Sequence, residues 1–202
     1  MVLRNGHLTG TQGWRVKIDW ITSLLIVIAD VIFLFGTTFA STQVDAPSTK
    51  AVTILVVGIA SSLLFGTVTF DLSISRREFA QIFTWTIACV GASLILNFVT
   101  PKLPMATFDP KMFGVLLSVA ETMFFQAFFL IWLSRLSHKI SILGAFLCAG
   151  GACAFHFFVY GLNLSVLAIV FGCFLVLNLA TLQTQRLTPA MLGHSFINFL
   201  AG

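Results

Sequence analysis

The stretch MFGVLLSVAETMFFQAFFLIWL, residues 112–133, decides the fold. As a helix it is long enough to cross a bilayer core, which takes roughly 20 consecutive apolar residues. One ionisable group, Glu121, interrupts it, and Gln126 follows five residues on. The run is continuously apolar, whereas the strands of a closed membrane barrel alternate between a lipid face and a lumen face. In hydrocarbon every backbone polar group must bond internally, and a helix satisfies its own. Residues 112–133 therefore read as a membrane helix.

The rest of the chain repeats the pattern. It is 58% hydrophobic and 9% charged, with a mean hydropathy of +1.01. Soluble domains carry about 25% charged residues, so this chain has too little polar material to face water all round. Spans are expected at about 18–40, 51–70, 79–100, 112–134, 140–160, 163–183 and 187–202. The last is short, and reads as tilted, partial or shielded by its neighbours. Pro101, Pro104 and Pro110 mark residues 101–111 as a loop. The expected architecture is all-α: a polytopic transmembrane bundle of about seven helices in a single domain, residues 1–202. The first 17 residues are polar and the apolar run after them is long enough to span, so no cleavable signal peptide is expected.

The net charge of +4 is spread over short loops, which excludes a nucleic-acid surface and points to membrane topology instead. Arg4, Arg15, Lys17, Arg76, Arg77, Arg135, Lys139 and Arg186 fall on one side of the expected bundle. Lys50, Lys102 and Lys111 fall on the other. The positive-inside rule puts the N-terminus in the cytoplasm, with the cell's plasma membrane as the expected location. Cys89, Cys148, Cys153 and Cys173 lie inside apolar runs without zinc-ligand spacing and read as small hydrophobes.

Five polar groups fall at membrane depth: Asp30, Glu121, His156, His194 and Asn198. An ionisable residue there costs about 2.5–3.5 kcal/mol on insertion scales, so it faces the bundle interior and a partner. Asp30 reads as a structural interhelical hydrogen bond. His156 sits near the end of GAFLCAGGACAFHFFVY, residues 144–160, whose small residues let neighbouring backbones approach. In LTPAMLGHSFINFLAG, residues 187–202, His194 and Asn198 are four apart and share one helix face. One carboxylate, two imidazoles and an amide on three helices make a hydrolytic set, with a general base, a proton shuttle and an oxyanion donor.

Three signatures carry a resemblance. His194-Ser-Phe-Ile-Asn198 follows a Leu-Thr-Pro-Ala lead-in, His156 lies four residues after Ala152, and Glu121-Thr122 is followed by Gln126. In order and spacing they resemble the CAAX-protease and bacteriocin-processing (CPBP) family of intramembrane proteases. That family has Glu-Glu-x-x-x-Arg, Phe-x-x-x-His and His-x-x-x-Asn/Asp on its core helices. Thr122 stands for its second glutamate, Gln126 for its arginine and Ala152 for its phenylalanine. The resemblance covers residues 112–202 as a core, with 1–111 as additional N-terminal helices.

It implies a peptidase in which Glu121 and His156 activate water while His194 and Asn198 stabilise the oxyanion. Thr122 and Gln126 would support them, and the substrates would be membrane-anchored peptides. No cofactor is expected; zinc held by Glu121, His156 and His194 is the lesser alternative. The altered first signature leaves open a second reading, a non-catalytic subunit or scaffold that binds partner membrane subunits. A proton conductor using Asp30 and Glu121 ranks third, because no internal repeat supports it. The charge count is directly testable: cysteines placed at positions 76 and 135 should label from the cytoplasmic side, and those beside Lys50 and Lys111 from the opposite side.

Overall fold

A computed structural model describes residues 15–28, 46–99, 110–136 and 141–201. Asp30 and residues 101–109 of the expected proline-rich loop lie outside them. Strand β1 (Val16–Ile18) is followed by helical residues 20–28, here α1, and then by α2 (Ala46–Leu64). Strand β2 (Val68–Phe70) leads into α3 (Arg76–Val99). Next comes one unbroken helical rod made of α4 (Pro110–Thr122), a π-helical segment (Met123–Leu130) and α5 (Ile131–Leu136). Helices α6 (Ser141–Tyr160), α7 (Leu164–Thr184) and α8 (Thr188–Ala201) complete the chain. The architecture is an all-α bundle, and its described helices overlap the spans expected from hydropathy, the first of which (18–40) is described only to residue 28.

Arg76–Ile95, Gly114–Arg135 and Leu164–Thr184 are long and apolar enough to cross a membrane, and Lys50–Leu64 and Ile142–Phe157 are shorter apolar helices. Large apolar side chains such as Phe83, Ile95, Phe98, Phe146 and Leu164 point outward, as lipid requires of an integral membrane protein. The rod is the bundle's interior element, lined by Leu116, Val119, Ala120, Met123, Ala127, Leu130 and Ile131, all buried. Helix α2 packs along α4 and the π segment, α6 lies against α7, and α8 packs against α3, α4 and α7. The short last helix is therefore shielded by its neighbours, one of the arrangements its length allowed.

The strands were not anticipated. Helix α2 stops at Leu64, six residues before the expected end of its span, because Gly66 turns the chain at φ +55°. Residues 68–70 then pair in parallel with β1, Val16 opposite Val68 and Ile18 opposite Phe70. Lys17 also bridges to Arg186 in the α7–α8 connection. Backbone groups that would be stranded at three helix ends are satisfied in one small ladder.

Arg186 anchors that end of the bundle. Loop arginines had read as topology signals only, yet this guanidinium is buried. It pairs with Glu78 at 2.8 Å, Asp19 at 3.5 Å and Asp71 at 3.9 Å, and donates to the Ser73 carbonyl at 3.0 Å. Asp19, itself fully buried, accepts from the Thr22 amide at 2.9 Å and from the Thr188 hydroxyl. Lys17 reaches Asp71 at 2.8 Å. This ammonium and the Ser73 hydroxyl hold the Asp71 carboxyl well below the usual carboxylate range. Glu78 also closes a capping box with Ser75 at the start of α3, its carboxylate accepting from the Ser75 amide at 3.0 Å. Arg135 donates to the carbonyls of Phe65 and Gly66, so Lys17, Arg135 and Arg186 of the richer group meet at this end.

Removing one member of a buried pair strands the other charge, which costs about 3–5 kcal/mol. Arg186→Met should therefore lower stability to denaturant in detergent micelles by that order. The double variant Arg186→Met/Asp19→Asn should recover part of the loss.

Candidate active site

Glu121 stands at the last regular turn of α4, 2% exposed. Its Oε2 lies 3.3 Å from Nε2 of His194 on α8, and its Oε1 lies 3.8 Å from Nε2 of His156 on α6. Three helices thus deliver one carboxylate and two imidazoles to one point. His156 is fixed from behind, with Nδ1 2.8 Å from the Ala152 carbonyl. A carbonyl only accepts, so Nδ1 carries a proton and Nε2 is the ring nitrogen that faces Glu121. Phe174 on α7 packs against both imidazoles, its ring centre 5.8 Å from His156 and 5.3 Å from His194. This apolar wall lowers the local dielectric and so strengthens the polar contacts beside it.

The close approach of the helices rests on small residues. A Cβ on Gly193, next to His194, would come 2.6 Å from the Cβ of Cys89 on α3. A Cβ on Gly58 would come 2.9 Å from the backbone nitrogen of Phe124, where α2 crosses the π segment. Neither position has room for a side chain. Between α4 and α8 the Ser118 hydroxyl bonds that of Ser195 at 3.0 Å, one residue beyond His194.

The π segment explains Gln126. In a regular α-helix a residue five positions on lies about 140° around the axis from Glu121. The wider i→i+5 turn brings it back towards the same face, and such turns recur at functional sites. Gln126 is fully buried and donates to Asn178 on α7 at 2.9 Å, and Asn178 donates to the Ala145 carbonyl at 2.9 Å. An amide relay thus ties the rod to α6 and α7. Thr122 is buried beside Glu121. Its hydroxyl, Oε1 of Gln126 and Nδ1 of His194 have no hydrogen-bond partner among the described residues.

Asn198 takes a different position from the one expected. It lies one turn beyond His194, and its amide donates to the Gly114 carbonyl at 3.2 Å, two turns before Glu121. The structure thus brings Glu121, His156 and His194 together and gives Asn198 to the α4–α8 contact. Sequence reading passed over Asn178, although the rule that singled out Glu121 applies to any amide inside an apolar span. The serine pair gave no such signal, because hydroxyls are common in membrane helices. Among the described residues no group of three or more His, Cys, Asp or Glu side chains is arranged to hold a metal ion.

Residues 105–200 match the family model described as type II CAAX prenyl endopeptidase Rce1-like. The match covers the rod, α6, α7 and α8, and agrees with the CPBP resemblance carried by the three signatures. Comparison with curated proteins and with solved structures gives no match.

The amide relay makes its own prediction. Asn178→Ala leaves the Gln126 amide buried without its acceptor, which costs about 1–3 kcal/mol. Detergent-solubilised Asn178→Ala should melt earlier than wild type, and Gln126→Leu/Asn178→Leu, which removes both partners, should lose less.

Proposed function

We propose that this chain, whose residues 105–200 belong with the Rce1-like type II CAAX prenyl endopeptidases, is an intramembrane peptidase acting on membrane-anchored peptides. The observation that carries the reading is the Glu121 carboxylate set between the Nε2 atoms of His156 and His194. Glu121 acts as general base. It takes a proton from water as the water oxygen attacks the scissile carbonyl, and returns a proton to the departing amine. His156 presents an acceptor to the same water and shares that proton. His194 donates from Nε2 to the oxyanion. Asn198, one turn away, holds α8 against α4 and so keeps His194 in register; it acts as an oxyanion donor only on releasing the Gly114 carbonyl. Thr122 and Gln126 replace the family's charged pair with neutral groups, and Gln126 positions the rod through its bond to Asn178.

The chemistry is read as metal-free, with zinc at Glu121, His156 and His194 as the alternative that a chelator distinguishes. Prenylated and unprenylated substrates both remain within the reading. The Arg186 end faces the cytoplasm and the Lys50 end the opposite side, and the plasma membrane is the proposed location. The Gln126–Asn178–Ala145 relay favours a second reading, a non-catalytic subunit of a larger membrane complex, because it closes with neutral bonds a place where the family has a charge.

Cleavage of a membrane-anchored reporter peptide by the purified chain separates the two. Glu121→Gln should keep the fold and lose about 10²–10⁴-fold in turnover. Asn198→Ala should lose up to about 10²–10³-fold if its amide reaches the oxyanion, and far less if it serves packing alone. Wild-type cleavage that survives Glu121→Gln would overturn the mechanism. A wild type inert towards a broad peptide set would favour the subunit reading.

A further inference from the structure

Lys50, on the first turns of α2, lies outside the segment that matches the family and outside the catalytic set. Its ammonium sits 4.5 Å from the ring centre of Phe155. That ring packs edge-on against His156 with centres 5.6 Å apart, and against Phe125 at 6.0 Å. Lys50 is exposed, and among the described residues no carboxylate pairs with it. His156 keeps 13% of its side chain exposed against 3% for Glu121, so the site is more open on the imidazole side.

An ammonium over an aromatic ring is held in place at little cost and keeps its donors free on the outer side. Behind the Phe155 ring, Phe125 and then Phe174 continue as buried apolar packing. One fixed cation, held on an aromatic ring that itself packs on His156, suits an apolar segment that bears an anion. Lys50 stands one aromatic ring from the imidazole, and so reads an anion near the reacting bond without touching the bond itself.

We infer that Lys50 is a specificity-determining residue that binds a carboxylate of the peptide substrate, carried either at the chain terminus or on an acidic side chain. This rests on the peptidase reading for its substrate, and it is tested by binding so that the two can fail separately. The protein is the full chain carrying Glu121→Gln, in phosphatidylcholine nanodiscs. The probes are one fluorescent, lipid-anchored apolar peptide with three ends: a free C-terminal carboxylate, a C-terminal amide, and the amide preceded by glutamate.

The carboxylate-bearing probes should bind about fivefold more tightly than the plain amide, the scale of one solvent-accessible ion pair. Preference for the free terminus alone assigns the terminal carboxylate, and equal preference for the glutamate probe assigns any nearby carboxylate. Lys50→Met should abolish the preference and Lys50→Arg should restore it. On the unsubstituted lysine, 0.5 M salt should weaken it, an arm independent of whether Lys50→Met folds. Equal affinity for all three ends, or a preference unchanged in Lys50→Met, would overturn the inference. So would affinity that follows anionic lipid content instead of peptide charge, which would assign Lys50 to headgroups. A carboxylate preference in a chain whose wild type cleaves nothing would uphold the binding site and sink the peptidase reading.

Discussion

The buried guanidinium of Arg186 holds together the end of the bundle from which the site is built. It draws Asp19 from the N-terminal segment, Asp71 from the α2–α3 connection and Glu78 from α3 into one network. These are three stretches that hydrophobic burial alone would leave free to slide, because lipid tails are as apolar as the side chains facing them. Gln185, in the left-handed conformation at φ 56°, turns the chain out of α7 so that Arg186 enters this network, and α8 begins at Thr188. The Thr188 hydroxyl bonds Asp19. The start of α8 is thereby pinned, and with it the height at which His194 meets Glu121.

The opposite requirement operates at the site. A carboxylate removed from water must find donors, and the interior offers them only where helices come very close. Gly193 against Cys89 and Gly58 against Phe124 permit that closeness, while Ser118 and Ser195 hold α4 to α8. The π segment adjusts the rod so that Glu121 and Gln126, five residues apart, both turn inward. Each device is small, but together they replace the hydrophobic driving force that a water-soluble core would have.

The altered first signature changes what the rod must bury. Where the CPBP pattern has a glutamate and an arginine, Thr122 and Gln126 bring no charge to bury. Gln126 joins a relay through Asn178 to the Ala145 carbonyl, which links the rod to α6 and α7. The polar interior is thereby divided between a neutral structural relay and the Glu121–His156–His194 cluster. Lys50 and the Phe155 ring border the cluster from α2 and α6.

The sequence by itself determined the membrane class, the approximate positions of the described helices and the presence of Glu121, His156 and His194 within apolar runs. Those follow from a local quantity, the transfer cost of each residue to hydrocarbon, which needs no knowledge of neighbours. Only the tertiary structure decided the rest. Asn198 shares a helix face with His194 in the sequence, yet the near approach of α4 turned its amide to the Gly114 carbonyl. Arg186 looked like one more loop charge until Asp19, Asp71 and Glu78, remote along the chain, enclosed it. Asn178 and Lys50 took on meaning only when Gln126 and Phe155 were placed beside them. A hydrogen bond or an ion pair depends on distance between two groups, and for helices packed in lipid that distance is set by crossing geometry, which no single segment encodes.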